Sequence, residues 1–231
     1  MQSVAKTHTS TRHHSSRRSS HVWPWHEWAL EHMEPAKAAS ILDLGCGKGH
    51  MARSLITEMG PYGEIVAVDP SPELLHEAEN RSQSDMERRI QWMMGTHHHV
   101  FYPDNSFDRI LTEFILDAYY ADDILQEVQR LICDRGRVVF LCYGTPTNHL
   151  ARFAQHLWHW IVSYHRFVGL PSRNFLNNPI DIQQLAVLLP SYNFQVISSQ
   201  QWLGGFIYGL TVEYHEPNNA IKSDQDPTLI R

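Results

Sequence analysis

An apolar run from Ile41 to Leu44 ends at three glycines spaced two residues apart, Gly45, Gly47 and Gly49. A strand that ends in such a loop and continues into a helix lets a ligand approach the main chain closely, because glycine has no Cβ and tolerates positive φ. The pattern therefore predicts a ligand-binding loop between a strand and a helix of an α/β fold.

A second apolar run, Ile65 to Asp69, follows roughly twenty residues later, the separation found in nucleotide-binding folds, and ends in a carboxylate. A carboxylate at the end of the neighbouring strand can accept hydrogen bonds from both hydroxyls of a ribose. The loop and Asp69 together predict that an adenosine-containing cofactor lies across the ends of these two strands.

The spacing of the glycines argues against a dinucleotide cofactor. A dinucleotide-binding loop reads Gly-x-Gly-x-x-Gly, and here His50 occupies the place of the third glycine. Asp43, two residues before the loop, adds a negative charge that suits an ammonium and a sulfonium better than two phosphates. An NAD-dependent oxidoreductase is therefore the disfavoured alternative.

The segment from Asp43 to Gly49 resembles the cofactor loop of class I S-adenosylmethionine-dependent methyltransferases. Three further segments are similar to this family and follow in its order. Asp69-Pro70-Ser71 looks like its ribose-binding strand end, Gly95 to Asp108 like the segment after its third strand, and Arg135 to Leu141 like its turn and fifth strand. The resemblance covers residues 38 to 145 and implies a Rossmann-like fold, S-adenosylmethionine as cofactor and methyltransferase activity.

Two positions depart from the family pattern. Thr96 or His97 stands where the family often has an acidic residue that binds the adenine amino group. The turn before the fifth strand, 133–136, lacks the usual proline and second glycine.

The resemblance, together with position at the carboxyl ends of the strands, implies two sets of site residues. The cofactor-binding set is Asp43, Gly45, Cys46, Gly47, Gly49, Asp69, Pro70, Thr96, His97 and Glu113. The substrate-binding set is Trp25, Asp117, Tyr143 and His149. The sequence does not rank the candidates for a general base, which are His97, His98, Glu113, Asp117 and Tyr143, with Tyr119, Tyr120 and His149 further along. No catalytic residue is assigned.

Helices and strands alternate after residue 40, which predicts a sheet with helices on both faces. The fold class is α/β: a Rossmann-like, seven-stranded, mostly parallel sheet that ends in an antiparallel C-terminal hairpin. Besides the two strands above, the expected elements are helices at His50–Met59, Ser71–Asn80, Asp122–Ile132 and Ile180–Leu189, and strands at Ile90–Met94, Phe107–Thr112, 137–142, Phe194–Ser198 and Phe206–Tyr214.

The expected methyltransferase domain is 22–216, between a disordered tail, 1–21, and a flexible tail, 217–231. The first tail is rich in Ser, Thr, His and Arg, and a solvated segment is favoured over a mitochondrial presequence. A helical insert at about 145–178 is amphipathic and aromatic, which suits an apolar pocket or, as an alternative, peripheral contact with a membrane surface.

The composition of the 231 residues is that of a globular protein, with 42% hydrophobic and 19% charged residues. A formal net charge of −6 argues against general electrostatic binding to the phosphates of DNA or RNA. The three widely spaced cysteines indicate reduced thiols in a cytoplasmic protein rather than disulfides or a zinc site. The sequence does not indicate the oligomeric state.

Two unusual segments have a plain and a functional interpretation. The aromatic segment Trp23 to Trp28 is expected to be a helix packed on the sheet, and a flap over the cofactor or substrate is the alternative. The triplet His97 to His99 is expected to be a loop of partly exposed imidazoles, because three consecutive side chains rarely converge on one metal ion.

The leading functional hypothesis is a methyltransferase that acts on a small apolar or amphiphilic molecule. The landmarks look like the branch that includes quinone-ring and phospholipid methyltransferases. The competing hypothesis, motivated by the altered adenine-binding position, is a catalytically inactive S-adenosylmethionine-binding partner or regulatory subunit.

Overall fold

A computed structural model describes residues 23–82, 84–116, 118, 120–145, 180 and 182–217. The strands are β1 Ser40–Leu44, β2 Glu64–Asp69, β3 Ile90–Met94, β4 Phe107–Glu113, β5 Ile132–Tyr143, β6 Phe194–Trp202 and β7 Ile207–Tyr214. The α-helices are α1 Pro24–Met33, α2 His50–Glu58, α3 Pro72–Asn80, α4 Ala121–Leu131 and α5 Ile182–Leu188. Short 3₁₀ turns lie at Pro35–Lys37, Glu87–Arg89, Leu189–Tyr192 and Leu203–Gly205.

The seven strands form one sheet in the order β3-β2-β1-β4-β5-β7-β6. Strands β1 to β5 run parallel, whereas β7 is antiparallel to both β5 and β6. This arrangement confirms the predicted α/β fold with its antiparallel C-terminal hairpin. Because the chain first builds outward from β1 to β3 and then returns to β4, the strand order reverses between β1 and β4, and ligands bind in the crevice at such a point.

The central strands are apolar runs because both faces of the sheet are covered. One face packs against α4 and α5 through a core that contains Leu42, Leu44 and Ile110. The opposite face packs against α1 and α2 through a core that contains Ile41 and Leu111. Alternation of side chains along β1 therefore directs Asp43 to the α1 side, with Ile41.

The helix boundaries follow local signals. Ser71 caps α3, since its hydroxyl accepts a hydrogen bond from the Leu74 amide at 3.3 Å, and Pro72 occupies the first turn as predicted. Helix α1 is held at its C-terminal end by two arginines of the sheet, because Arg109 donates to the Met33 carbonyl and Arg137 donates to the His32 carbonyl. The prediction that the aromatic segment forms a helix packed on the sheet is confirmed.

Strand β5 begins at Ile132, five residues before the predicted start at 137, and the predicted turn at 133–136 was wrong as a boundary. Ile132 pairs with Phe107 and Arg137 pairs with Arg109. The chain thus advances five residues along β5 where β4 advances only two. The extra residues bulge out of the ladder, with Arg135 at a φ of 56°. Charged residues and Gly136 resemble a turn locally, but the chain rejoins the same strand.

At the C-terminal side, α5 ends at Leu188, one residue before the predicted end, because Leu189–Tyr192 continues the chain as a 3₁₀ turn. Strand β6 runs four residues beyond the predicted end at Ser198. Both predicted tails, apart from Pro217, and the insert from 146 to 178 lie outside the described residues. Within the described part of the chain, no helix is both long and apolar enough to cross a membrane.

Candidate active site

The glycine loop closes over the carboxyl end of β2. The amides of Gly45 and Cys46 both donate to the Val68 carbonyl, at 2.8 and 3.0 Å. Gly45 has a φ of 85°, and a Cβ at this position would lie 2.4 Å from Cγ2 of Ile115. Glycine is therefore required at residue 45 both by the backbone conformation and by the space available.

Gly47 differs from Gly45 in what surrounds it. Its φ is 52°, yet a Cβ built on it would meet no heavy atom of the described residues within 4 Å. The part of the chain that the structure describes therefore leaves the space over Gly47 open. An open glycine main chain at the end of a strand is the feature expected of a cradle for a ligand.

Asp69 ends β2 beside this loop, as predicted. Its Oδ2 accepts a hydrogen bond from the Gly47 amide at 2.9 Å, and its Oδ1 accepts one from the Ser71 amide at 2.9 Å. Each carboxylate oxygen retains a lone pair for a further donor. Asp69 therefore fixes the loop and remains suited to bind ribose hydroxyls, while Pro70 beside it is exposed.

Asp43 is fully buried one residue before the end of β1. Neither of its carboxylate oxygens has a hydrogen-bond partner among the described residues. Burial, reinforced by the negative charge of Asp69, raises the pKa of Asp43 to about 7, although the nearby Ala52 amide and Arg53 oppose this shift in part. A buried carboxylate without a partner is costly and fits a cationic ligand that would share its charge.

These residues fit S-adenosylmethionine. The open main chain at Gly47 provides room for the ligand, Asp69 provides acceptors for ribose, and Asp43 provides a negative charge near the loop for the ammonium or sulfonium. Cys46 is buried in the loop. Burial raises the pKa of its thiol, and the negative charges of Asp43 and Asp69 raise it further. A protonated thiol adds no further charge to the cradle.

On the β3 side, the Gly95 amide donates to the Asp69 carbonyl at 3.3 Å, which brings the start of the next loop to the same edge. Thr96 is exposed there and His97 is half-buried. The ring of His98 stacks on Tyr120, whereas that of His99 packs edge-on against Phe101. Among the described residues no three metal-ligating side chains converge.

On the β4 side, Glu113 lies close to the loop, since its carbonyl is 3.8 Å from the Cβ position of Gly45. Its Oε1 is 3.2 Å from Nε2 of His26 on α1. Burial, and then the charge of Asp43, raises the pKa of Glu113 well above its usual value. Burial, and then the charge of His50, lowers the pKa of His26 to about 4.

Aromatic rings border this part of the site. Tyr143, at the end of β5, stacks on Phe114 with centroids 4.4 Å apart and lies 5.4 Å from the ring of Phe206. Burial, and then the charge of Glu113, raises the pKa of Tyr143 to about 12. Trp25 is buried next to His26, and its indole Nε1 has no partner among the described residues.

The structure thus places the predicted residues of β1, β2, β4 and β5 at one edge of the sheet. Asp117 and His149, predicted to bind substrate, lie outside the described residues. Two contributors were missed by sequence reasoning. His26 reaches Glu113 only through the packing of α1, and Arg53 supports the loop by donating to the Lys48 carbonyl at 2.6 Å. Arg53 also lies 6.0 Å over the ring of Trp92, and neither contact has a local sequence signal.

Comparison with known proteins agrees with this geometry. The chain is 29% identical over 198 residues to a 2-phytyl-1,4-naphtoquinone methyltransferase of Thermosynechococcus vestitus, covering 81% of this chain and 85% of that protein. It is 28% identical over 146 residues to a ubiquinone/menaquinone biosynthesis C-methyltransferase UbiE of Legionella pneumophila, covering 62% of this chain and 58% of that protein. The chain thus spans little more than half the length of the second relative.

The fold matches solved structures as well. A SAM-dependent methyltransferase from Aquifex aeolicus superposes with a TM-score of 0.61 at 15% identity, over 81% of this chain and 88% of that one. The sequence model of the ubiE/COQ5 methyltransferase family matches residues 15–168. The chain therefore belongs to the ubiE/COQ5 methyltransferase family and is an S-adenosylmethionine-dependent methyltransferase.

Proposed function

We propose that the enzyme methylates a small, apolar, ring-containing molecule of the quinol type. The observation that carries this proposal is the row of aromatic side chains beside Glu113, at the edge of the sheet that holds the cofactor cradle. The half-buried rings of Tyr143 and Phe114 stack on each other, with the buried ring of Phe206 beside Tyr143, and a planar apolar acceptor stacks well on an aromatic surface. The two relatives named for naphthoquinone and for ubiquinone or menaquinone support the same class.

The chemistry asked of the protein is modest. Bound S-adenosylmethionine supplies an activated methyl group on its sulfonium. The chain must hold the acceptor in line with that methyl group, and ordering of two reactants is worth up to ~7–11 kcal/mol. Asp43 and Asp69 orient the donor at one side, and the aromatic row orients the acceptor at the other.

The comparisons favour an active enzyme, and no feature of the described residues favours an inactive cofactor-binding subunit. The altered adenine position at Thr96 does not weigh against activity, because the main chain of the loop after β3 can still supply hydrogen bonds to adenine. The cytoplasmic location and the alternative of peripheral contact with a membrane stay predictions.

Isotope-labelled methyl donor tests this proposal. The purified enzyme is incubated with the labelled donor and cell extract, which is then separated into lipid, aqueous and macromolecular fractions. We expect label in the lipid fraction, and also on a reduced, prenylated naphthoquinone without a ring methyl group offered as a defined acceptor. Label confined to protein or RNA would contradict the substrate class, and no label in any fraction would contradict the activity.

A further inference from the structure

Glu113 and His26 form a buried acid–imidazole pair at the edge of the cofactor cradle. Their closest atoms, Oε1 and Nε2, are 3.2 Å apart, and the side chains are only 16% and 21% exposed. Oε1 is buried and has no hydrogen-bond partner among the described residues, so it is free to accept one from the nearby Nε2–H of His26 when the carboxyl ionises. A small part of each side chain therefore stays accessible.

The pair sits where the acceptor is expected. Glu113 is the last residue of β4, the strand that pairs with β1 ahead of the glycine loop. Tyr143, whose pKa is raised in part by the charge of Glu113, belongs to the aromatic row. Three other groups face the pair from the surrounding elements. These are Asp43 of β1, Cys46 of the loop and His50 of α2. The pair therefore lies between the donor side and the acceptor side of the site.

Both members prefer their neutral forms, because burial raises the pKa of Glu113 and lowers that of His26 to about 4. Near neutral pH His26 is uncharged and titrates only in acid. Because its pKa is raised above 4.5 while that of His26 is about 4, Glu113 is the better proton acceptor of the two. A carboxylate whose pKa is raised is a stronger base than an ordinary one, which suits a general base at neutral pH.

We propose that Glu113 is the general base that accepts the proton of the methyl acceptor and that His26 is its positioning residue. This inference rests on the proposed function. An electron pair of the acceptor forms the new bond to the methyl carbon, and the carbon–sulfur bond breaks with its electrons left on sulfur. The proton leaving the acceptor goes to the Glu113 carboxylate, which the neutral His26 steadies by donating its Nε2–H to Oε1, and it passes to solvent afterwards.

Glu113→Gln tests the base directly, because it keeps the shape of the side chain and removes its basicity. We expect methyl transfer at saturating donor to fall by ~10²–10⁴-fold, the usual contribution of a general base. Wild-type activity should rise with pH through the titration of Glu113, and this rise should be absent in the variant. The resemblance assigns Glu113 to the cofactor-binding set, whereas a general base contacts the acceptor, so the affinity for S-adenosylhomocysteine, measured by calorimetry, should be unchanged.

His26→Leu and His26→Gln test the positioning role. Loss of the donated hydrogen bond destabilises the carboxylate, so His26→Leu should move the rise in activity to higher pH. His26→Gln retains an N–H donor and should restore much of the wild-type profile. A merely structural histidine would change the amount of folded enzyme without moving the pH profile.

Glu213→Gln is the matched control. Glu213 lies on β7 of the same sheet and is also paired with a histidine, since its carboxylate is 3.6 Å from His215. It is remote from the site, because Tyr143 pairs with Ile207 at one end of β7 and Glu213 lies at the other end. This variant should keep the wild-type rate and pH profile. A loss equal to that of Glu113→Gln would show that removing any carboxylate of the sheet disturbs the enzyme.

A readout independent of turnover is the ¹³C NMR titration of labelled glutamate carboxyls. Subtracting the Glu113→Gln spectrum should identify one carboxyl that titrates well above the ordinary glutamate range. An ordinary titration, an unchanged pH profile in Glu113→Gln, or a loss of S-adenosylhomocysteine affinity that accounts for the lost activity would each overturn the inference. If the wild type labels no fraction, the proposed function fails as well, whereas equal labelling by wild type and Glu113→Gln removes the inference alone.

Discussion

Replacement of Asp43 by asparagine should give a protein whose free energy of unfolding, relative to that of the wild type, grows as the pH rises. The same substitution should lower the affinity for the cofactor. Asp43 is fully buried, and its carboxylate oxygens have no partner among the described residues. Its pKa in the folded protein is about 7, against an ordinary value of 3.8. Between these two values the folded protein keeps a proton that the unfolded chain has released.

The free energy of unfolding of the wild type therefore falls as the pH rises through this window, by ~1.4 kcal/mol per pH unit from this one group. An asparagine side chain at this position has no such titration. Whatever constant offset the buried amide introduces, the stability of Asp43→Asn relative to the wild type should grow by roughly 3 kcal/mol between about pH 4.5 and about pH 6.5.

Urea unfolding of both proteins across this pH range measures the difference directly. All other titrating groups are common to the two proteins and cancel to first order. A difference that does not change with pH would refute the reasoning, because it would mean that Asp43 ionises in the folded protein as readily as in the unfolded chain. Calorimetry should show in parallel that the variant binds S-adenosylmethionine more weakly, since the cationic ligand loses its buried counter-charge.

Three further substitutions test other parts of the account. Asp69→Ala should weaken S-adenosylhomocysteine binding by ~10–100-fold, the scale of a lost charge-assisted hydrogen bond, and calorimetric binding equal to the wild type would place the ribose elsewhere. Gly209→Ala should lower the free energy of unfolding by ~1–3 kcal/mol, because its Cβ would lie 2.3 Å from the ring of Trp28, and unchanged denaturant stability would contradict the packing of α1. Arg130→Met should cost ~2–3 kcal/mol in the same assay, since the buried Glu127 carboxylate that Arg130 contacts at 2.7 Å would keep the Val100 amide as donor but lose its counter-charge, and a neutral effect would show that water replaces the arginine.

Much of the fold could be predicted because its signals are local. The continuous apolar run before Asp69 indicated a strand covered on both faces, and β2 was found at Glu64–Asp69. The Ser-Pro pair predicted the start of α3 for the same reason, since a cap acts within one turn. The start of β5 was missed because Gly136 and its charged neighbours look like a turn, while the pairing of Ile132 with Phe107 is a tertiary contact.

The residues of the candidate site also fall into those that local sequence signals predicted and those that depend on tertiary packing. Asp43 and Asp69 could be placed from sequence because each lies at the end of a strand that adjoins the glycine loop. His26 could not, since its position depends on how α1 docks. That docking rests on Trp28, which packs over Gly209 and lies 5.6 Å from the ring of Trp202, contacts between residues far apart in the chain. No pattern near His26 indicates Glu113 as its neighbour.

The central claim is that the main chain at Gly47 forms the cradle for S-adenosylmethionine, and calorimetric titration of Gly47→Val with S-adenosylhomocysteine tests it most directly. Gly60→Val controls for a side chain added to an open glycine outside the loop, because a Cβ there also meets no atom of the described residues within 4 Å. Gly47→Asn controls for backbone strain, since asparagine tolerates the φ of 52° at this position, and it should lose binding as Gly47→Val does. We predict that wild type and Gly60→Val bind alike, while Gly47→Val stays folded by circular dichroism and loses binding. Wild-type affinity in Gly47→Val would contradict the claim.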